Sequence, residues 1–413
     1  MFAHQRMGAH HRCVGLSPHA TTPPNLKGLA DATRRRPASL VHATFRPYGR
    51  LYMKFSICIP NYNYARYLGE TIASALEQTH ESLEVHVIDN ASTDDSIAVL
   101  QSIDDPRLSF DRNRTNVGFA PNLDRAVTGT TGDWIILLSS DDLMKPDALD
   151  TYRRVIDQVG GPAARVVISG TCEILNGTGE PVGLLRPPDW CWRPEDVDVA
   201  LTAAIGCKVY RLAPAEVLRR SLSRMRNPLW FASTAYPREL YDQVEGYRGQ
   251  GLINPDKEFH WRLIGAADSV FFVDEPLFCY RVHSSNQHSQ ETQSGALKRL
   301  VDQYVLSFNA DDSVCDRAGV SKDELAQCFI REDVAKRAIL SLIEGDGGWA
   351  RRNIAFGTAA YPRLMRSDPL AVLARALVAF RPLTVPILGI FASSIRRRLI
   401  AQRTLLQDAR ADG

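Results

Sequence analysis

Asp141 and Asp142 stand side by side just past the apolar run Trp134 to Leu138. A buried strand would therefore deliver paired charge into a crevice, because parallel sheets bind ligands beyond the carboxyl ends of their strands. Adjacent carboxylates repel one another unless a cation or firm hydrogen bonds compensate. Oxygen ligands of this type suit Mg²⁺ or Mn²⁺ carried in by a phosphate-bearing substrate. The residue types alone leave a second reading open: a polar loop in which Asp142 caps the helix that Pro146 helps to start.

The pattern from Lys54 onward supplies the strands and helices that such a site needs. Phe55 to Ile59 reads as a short apolar strand, and Leu68, Ile72 and Leu76 form one stripe of a helix over 67–76. Leu83 to Asp89 returns as a strand, and Ser92-Thr93-Asp94-Asp95 offers capping chemistry for a helix carrying Ile97 and Leu100. Leu108 to Phe110, Phe119 to Val127 and Trp134 to Leu138 continue as strand, helix and strand. Such alternation implies right-handed βαβ crossovers and an α/β, Rossmann-like fold with a mainly parallel sheet flanked by helices. Its ligand crevice must gather Pro60-Asn61-Tyr62-Asn63, Asp89-Asn90 and Asp141-Asp142, since all three follow strands.

Composition narrows the function classes. At 413 residues the chain exceeds a typical single domain, and a net charge of +2 argues against a dedicated nucleic-acid binder. Eight cysteines are scattered without a CxxC pair or zinc spacing, which reads as reduced intracellular thiols. Residues 1–52 hold half of the ten histidines, the triple Arg34-Arg35-Arg36 and a single acid, Asp31, and are expected to be a disordered extension. Met53, directly before the first good strand, is a candidate translation start.

Taken in order, Ser56 to Asn63, Tyr67-Leu68, Glu77-Gln78-Thr79, Val87 to Asp94, Asn116-Val117-Gly118 and Leu138 to Asp142 strongly resemble the family 2 glycosyltransferases, over roughly residues 54 to 285. The resemblance implies a GT-A fold over 53–290 and an enzyme that moves a sugar from a nucleotide-diphosphate sugar to an acceptor hydroxyl with inversion, using a divalent cation, Mn²⁺ or Mg²⁺. By the same resemblance Pro60, Tyr62 and Asn63 line the nucleobase pocket, although an aromatic ring there can also simply fill core. Asp89 and Asn90 match the nucleoside-reading pair, commonly two aspartates, so Asn90 leaves uracil, thymine and guanine open. Asn116 belongs to a loop near the nucleotide, and Gly118 serves backbone geometry. Ser139 stands where the first aspartate of Asp-x-Asp often occurs; Asp141 and Asp142 then divide the metal and the ribose between them.

Downstream, Asn254-Pro255-Asp256-Lys257-Glu258 resembles a family segment that puts the catalytic base at Asp256, with Pro255 in place of a Glu. The competing reading makes Asp256 a helix cap and Glu258 with Arg262 a surface i,i+4 pair. Tyr280-Arg281-Val282-His283 matches a closing segment in which His283 reaches the metal or diphosphate and Arg281 neutralises phosphate. Trp230, Phe231, Tyr236 and Tyr241 mark an acceptor region or plain core. Residues 291–413 read as a mostly helical extension. Within it Ala371 to Ile395 is apolar but interrupted, too broken to span a membrane; it can rest on one with Arg396-Arg397-Arg398 or form part of a helical cap packed on the catalytic domain. The expected setting is cytoplasmic, with possible peripheral membrane contact and a saccharide or lipid-linked saccharide acceptor. Two rivals remain: a sugar-phosphate nucleotidyltransferase, which would want a Gly-rich basic loop after the first strand, and a catalytically lapsed nucleotide-sugar scaffold, motivated by Ser139 and Pro255.

Overall fold

The computed structural model describes residues 53–248, 252, 254–283 and 295–380. The expectations for residues 1–52 and for the basic run 396–398 lie outside them. The first half alternates β1 (Phe55–Asn61), α1 (Ala65–Leu76), β2 (Leu83–Asp89), α2 (Ser96–Gln101), β3 (Leu108–Arg112), α3 (Phe119–Thr128) and β4 (Trp134–Leu137). Then come β5 (Leu143–Met144), α4 (Ala148–Val159), β6 (Val166–Leu175), β7 (Pro181–Leu185), α5 (Val199–Ile205), β8 (Val209–Leu212), α6 (Pro214–Leu222), β9 (Ala235–Pro237), α7 (Arg238–Gln243), α8 (Pro255–Ala266) and β10 (Ser269–Arg281).

These strands form one sheet in the order β3-β2-β1-β4-β9-β6-β10-β5, with β7 on β6 and β8 on β10. The block β3-β2-β1-β4 is parallel throughout, as is the long β6–β10 pair. Three-residue β9 runs antiparallel between the two blocks, and β5, β7 and β8 are short antiparallel additions. All seven residues of β1 are buried, polar Ser56 and Asn61 included, as expected of a strand covered on both faces. Successive residues still serve opposite faces. Cys58, Ile135, Leu137 and Phe272 join the core under α3 and α8, while Phe55, Ile57, Ile59, Ile136 and Phe271 join the core under α1 and α4.

Pro60 sits in a central strand, where a missing N–H is usually costly. The Leu138 amide donates to Cys58 O at 3.0 Å. Pro60, two residues along, faces the same side just where β4 has ended, so no ladder bond is lost. Ending β4 there also turns the chain out of the sheet toward Asp141.

The helical extension comprises α9 (Ala296–Asn309), α10 (Asp312–Ala318), α11 (Lys322–Phe329), a π-helical turn (Ile330–Ala335), α12 (Lys336–Ile343), α13 (Gly347–Ala360), α14 (Leu364–Ser367) and α15 (Pro369–Ala379). It does not begin as a separate body. Leu306 of α9, Val314 of α10 and Leu325 of α11 belong to the core that α3 and α8 cover. Leu300, Phe329, Val334 and Met365 build a smaller core of their own. Among the described residues no helix is long and apolar enough to cross a membrane, and the seven described cysteines are all free thiols.

Candidate active site

The carboxyl ends of β1 and β2 are tied together before they can hold anything else. Asn61 Nδ2 donates to Asp89 Oδ1 at 2.9 Å, the Ser92 amide donates to Asp89 Oδ2 at 3.0 Å, and Arg112 Nε lies 3.3 Å from the same oxygen. Asp89 is fully buried, so three of a carboxylate's four or so lone-pair sites are engaged internally. Asn63 adopts φ +60°; its amide donates to Ser92 Oγ at 2.9 Å, and its Oδ1 accepts from the Thr93 amide at 2.8 Å. This turn leaves the Tyr62 ring 41% exposed at the strand end.

Asn90, expected to face the base, is bonded within the 113–118 loop. Its Nδ2 donates to Asn116 Oδ1 at 3.0 Å and Gly118 O at 3.3 Å, while its Oδ1 accepts from Asn113 Nδ2 at 3.0 Å and the Val117 amide at 2.9 Å. A primary amide has two donors and two acceptor lone pairs. All four are spent on the 113–118 loop, and none is left for a base edge. Gly118 closes that loop at φ +88°, a left-handed conformation open to glycine. Asn116 is exposed and holds the Gly118 amide at 2.9 Å, so it shapes the loop rim.

The two acids after β4 part company. The Asp142 amide bonds back to Ser139 O at 3.1 Å, forming a tight turn. Asp142, 1% exposed, accepts from the Arg281 amide of β10 at 3.0 Å and from the Ser139 hydroxyl. Burial, with the Asp141 charge beside it, pushes the Asp142 carboxyl well above the usual range. The helix cap does not fit this placement: the carboxyl pins the end of β10, and α4 starts beyond β5 with Asp147 at its N-cap position. Ser139, in the place of an acid, supplies one of the hydrogen bonds that hold Asp142 there.

Asp141 meets His283 instead, Oδ2 to Nε2 at 3.1 Å, with the imidazole packed 4.6 Å from the Tyr67 ring. Arg281 is buried under them: its Nε donates to Asp141 O at 3.0 Å, its NH2 to Glu70 Oε2 at 2.7 Å, and its guanidinium lies 5.0 Å from the Tyr67 centroid. It therefore braces the acidic turn rather than standing free for phosphate.

Asp256 lies in the first turn of α8, two residues past the N-cap position Asn254, and is itself partly buried. Asn227 Nδ2 donates to Asp256 Oδ2 at 2.9 Å and contacts His260 Nδ1 at 3.0 Å. Burial raises the Asp256 carboxyl above its ordinary range, against the lowering effect of Asn227. Asn227 precedes β9, whose first residue Ala235 pairs antiparallel with Ile136. The chain therefore enters β9 beside the end of β4, the strand that leads to Asp141.

Two further expectations change. Tyr236 and Tyr241 are core residues, 1% and 6% exposed, with Phe259 edge-on to both rings, so they are closed to an acceptor. The Glu258–Arg262 pair is internal, for Arg262 is buried and donates to Val244 O, Gly246 O and Glu258. Asn227 was missed because nothing in its spacing links it to a residue 29 positions on.

Structural comparison supports the GT-A class of fold. Staphylococcus aureus TarS residues 1–349, solved in complex with UDP-GlcNAc, aligns with a TM-score of 0.53 at 18% identity, covering 84% of this chain and 92% of that one. Residues 56–170 match the model of glycosyl transferase family 2, so this stretch, which runs from β1 past β4 and holds both acids after β4, is similar to that family. An uncharacterized glycosyltransferase of Nostoc sp. (strain PCC 7120) is 28% identical over 286 residues, 62% of this chain and 76% of the relative. Glycosyltransferase GlyG of Streptococcus pneumoniae is 23% identical over 285 residues, 67% of this chain and 85% of that protein. A chondroitin synthase of Escherichia coli is 39% identical over 105 residues, 24% of this chain and 15% of the synthase.

Proposed function

We propose that the protein transfers a glycosyl group, with inversion, from a nucleotide-diphosphate sugar to an acceptor hydroxyl during assembly of a saccharide chain, and that Asp256 is the general base. One observation supports this reading: Asp256 is a partly buried carboxylate, raised by burial and bonded by Asn227, which lies on the segment that runs into β9, the strand paired with the end of β4. The acceptor oxygen attacks the anomeric carbon and its proton passes to the Asp256 carboxylate. The bond between the anomeric carbon and the β-phosphate oxygen breaks on the opposite side, and its electron pair leaves with the nucleoside diphosphate. The exposed Tyr62 ring, beside Pro60 and Asn63, offers a stacking surface for the base, while Asp89 fixes the strand ends beneath it.

Among the described residues no group of three or more His, Cys, Asp or Glu side chains forms a ready metal cage. One carboxylate and one imidazole, Asp141 and His283, fit a cation whose remaining ligands are diphosphate oxygens and water. Such an ion would neutralise charge on the departing diphosphate. Saccharide-chain assembly is supported by the similarity to chondroitin synthase. A lipid-linked acceptor and contact with the cytoplasmic face of a membrane belong to the same proposal.

Thermal unfolding of the purified chain with UDP-, dTDP- and GDP-hexoses, with and without Mn²⁺, tests the reading. One nucleotide class at about 100 Kd should stabilise the fold by about 2.7 kcal/mol and slowly release nucleoside diphosphate to water. A chain that no nucleotide sugar stabilises, and that releases none, would contradict it.

A further inference from the structure

One residue beyond Asp256 lies a second buried charge. Lys257 is 4% exposed; its Nζ donates to Met225 O at 2.9 Å and to Gln303 Oε1 of α9, and sits 5.2 Å from the Trp261 ring centroid. Met225 holds a left-handed φ of +53° two residues before Asn227, the residue that aims Asp256. On the other side of Asp256, Asn254 Nδ2 donates to Asp302 Oδ2 of α9 at 3.2 Å. The first turn of α8 is therefore gripped twice by α9 and once by the turn leading to Asn227.

Burying an ammonium is unfavourable unless it is fully partnered, and a Leu or Met at this position would pack between helices at less cost. Burial lowers the Lys257 ammonium to about 8, while the charges of Asp333, Asp302 and Asp256 oppose that fall and Arg337 adds to it. Asp333 lies on the π-helical turn Ile330–Ala335, itself buried and paired with Arg337 Nε at 3.0 Å. Helical extension and catalytic turn thus share one polar joint.

We propose that Lys257 is a positioning residue for glycosyl transfer: its ammonium locks the Met225–Asn227 turn and α9 onto the first turn of α8, which fixes the Asp256 carboxylate against the acceptor hydroxyl. The proposal rests on Asp256 being the base. A misplacement of about 1 Å at a reacting group can cost on the order of 100-fold in rate, so the effect belongs in turnover rather than in donor binding.

The test uses the full chain, Mn²⁺ and whichever UDP-, dTDP- or GDP-hexose stabilises it most, with water as acceptor. Lys257→Met should lower kcat per folded molecule by about 10-fold or more with donor KM unchanged within about twofold, and Lys257→Arg, which keeps the charge, should recover part of the loss. Gln303→Leu, which leaves the lysine in place and removes its α9 partner, should lower kcat by about threefold and covers the case in which Lys257→Met does not fold. In an Asp256→Asn background, Lys257→Met should change the residual rate by less than about twofold, because the two act as a unit. Unchanged kcat in both Lys257→Met and Gln303→Leu, or an equal loss in the Asp256→Asn background, would overturn the proposal. Full activity of Asp256→Asn alone would instead remove the base assignment on which it stands.

Discussion

The hydrogen bond from Asn227 sets the pH at which Asp256 can accept a proton. Asn227 stabilises the ionised carboxylate, whereas burial favours the neutral form. Asn227→Ala should therefore raise the carboxyl further and move the acid limb of the kcat/KM profile for donor hydrolysis to higher pH. A charge-assisted hydrogen bond of about 1.5 kcal/mol corresponds to about one unit. A profile that stays put or moves to lower pH would show that Asn227 does not act on the titrating group. Single residues were legible in the sequence where a motif fixes their place: Asp141 and His283 meet at 3.1 Å across 142 positions. The partners of Asn90 were not legible, because an Asn side chain suits a base edge as well as the amide network it makes with Asn113, Asn116, Val117 and Gly118.

Strands β1, β2 and β4 present the site at one edge only because their other edge is locked. Glu84 of β2 accepts from Lys54 Nζ at 2.5 Å, Ser56 Oγ at 2.7 Å and the Thr131 and Gly132 amides at 2.6 and 2.8 Å. Burial alone would raise its pKa, but these donors overcome it and hold the carboxyl at about 2 instead of 4.5. Stability from this group is thus complete above about pH 4.5 and is lost as the pH falls toward 2. Glu84→Gln should lower unfolding free energy at pH 7 by about 1–3 kcal/mol and flatten the acid side of the stability profile. Equal denaturant midpoints for mutant and wild type at pH 7 would refute the lock. Gly132→Ala should also destabilise, by about 1–3 kcal/mol, since its Cβ would lie 2.9 Å from both Lys54 O and Ser56 N; an unchanged melting temperature would count against this. Hydrophobic runs and crossover logic made the parallel strands legible. Three-residue β9 escaped because Ala235–Pro237 has too few residues for a period, yet it is the strand that links the β4 and β6 blocks.

Across the chain, the sequence suggests a catalytic domain ending near residue 290 with helices appended. Leu306, Val314 and Leu325 instead complete the core over α3 and α8, a contact between residues too far apart for any periodicity to reveal. A chain truncated after residue 290 should therefore lose cooperative unfolding, and a truncated protein that melts as sharply as the intact one would show the extension to be dispensable. The base assignment joins both halves, since α8 packs on the sheet and is gripped by α9. Its most direct test is the turnover of Asp256→Asn with the donor bound. Donor-induced stabilisation should match wild type while nucleoside diphosphate release falls by about 100- to 10,000-fold, the range of general-base catalysis. A mutant that binds the donor and turns over at the wild-type rate would contradict the assignment.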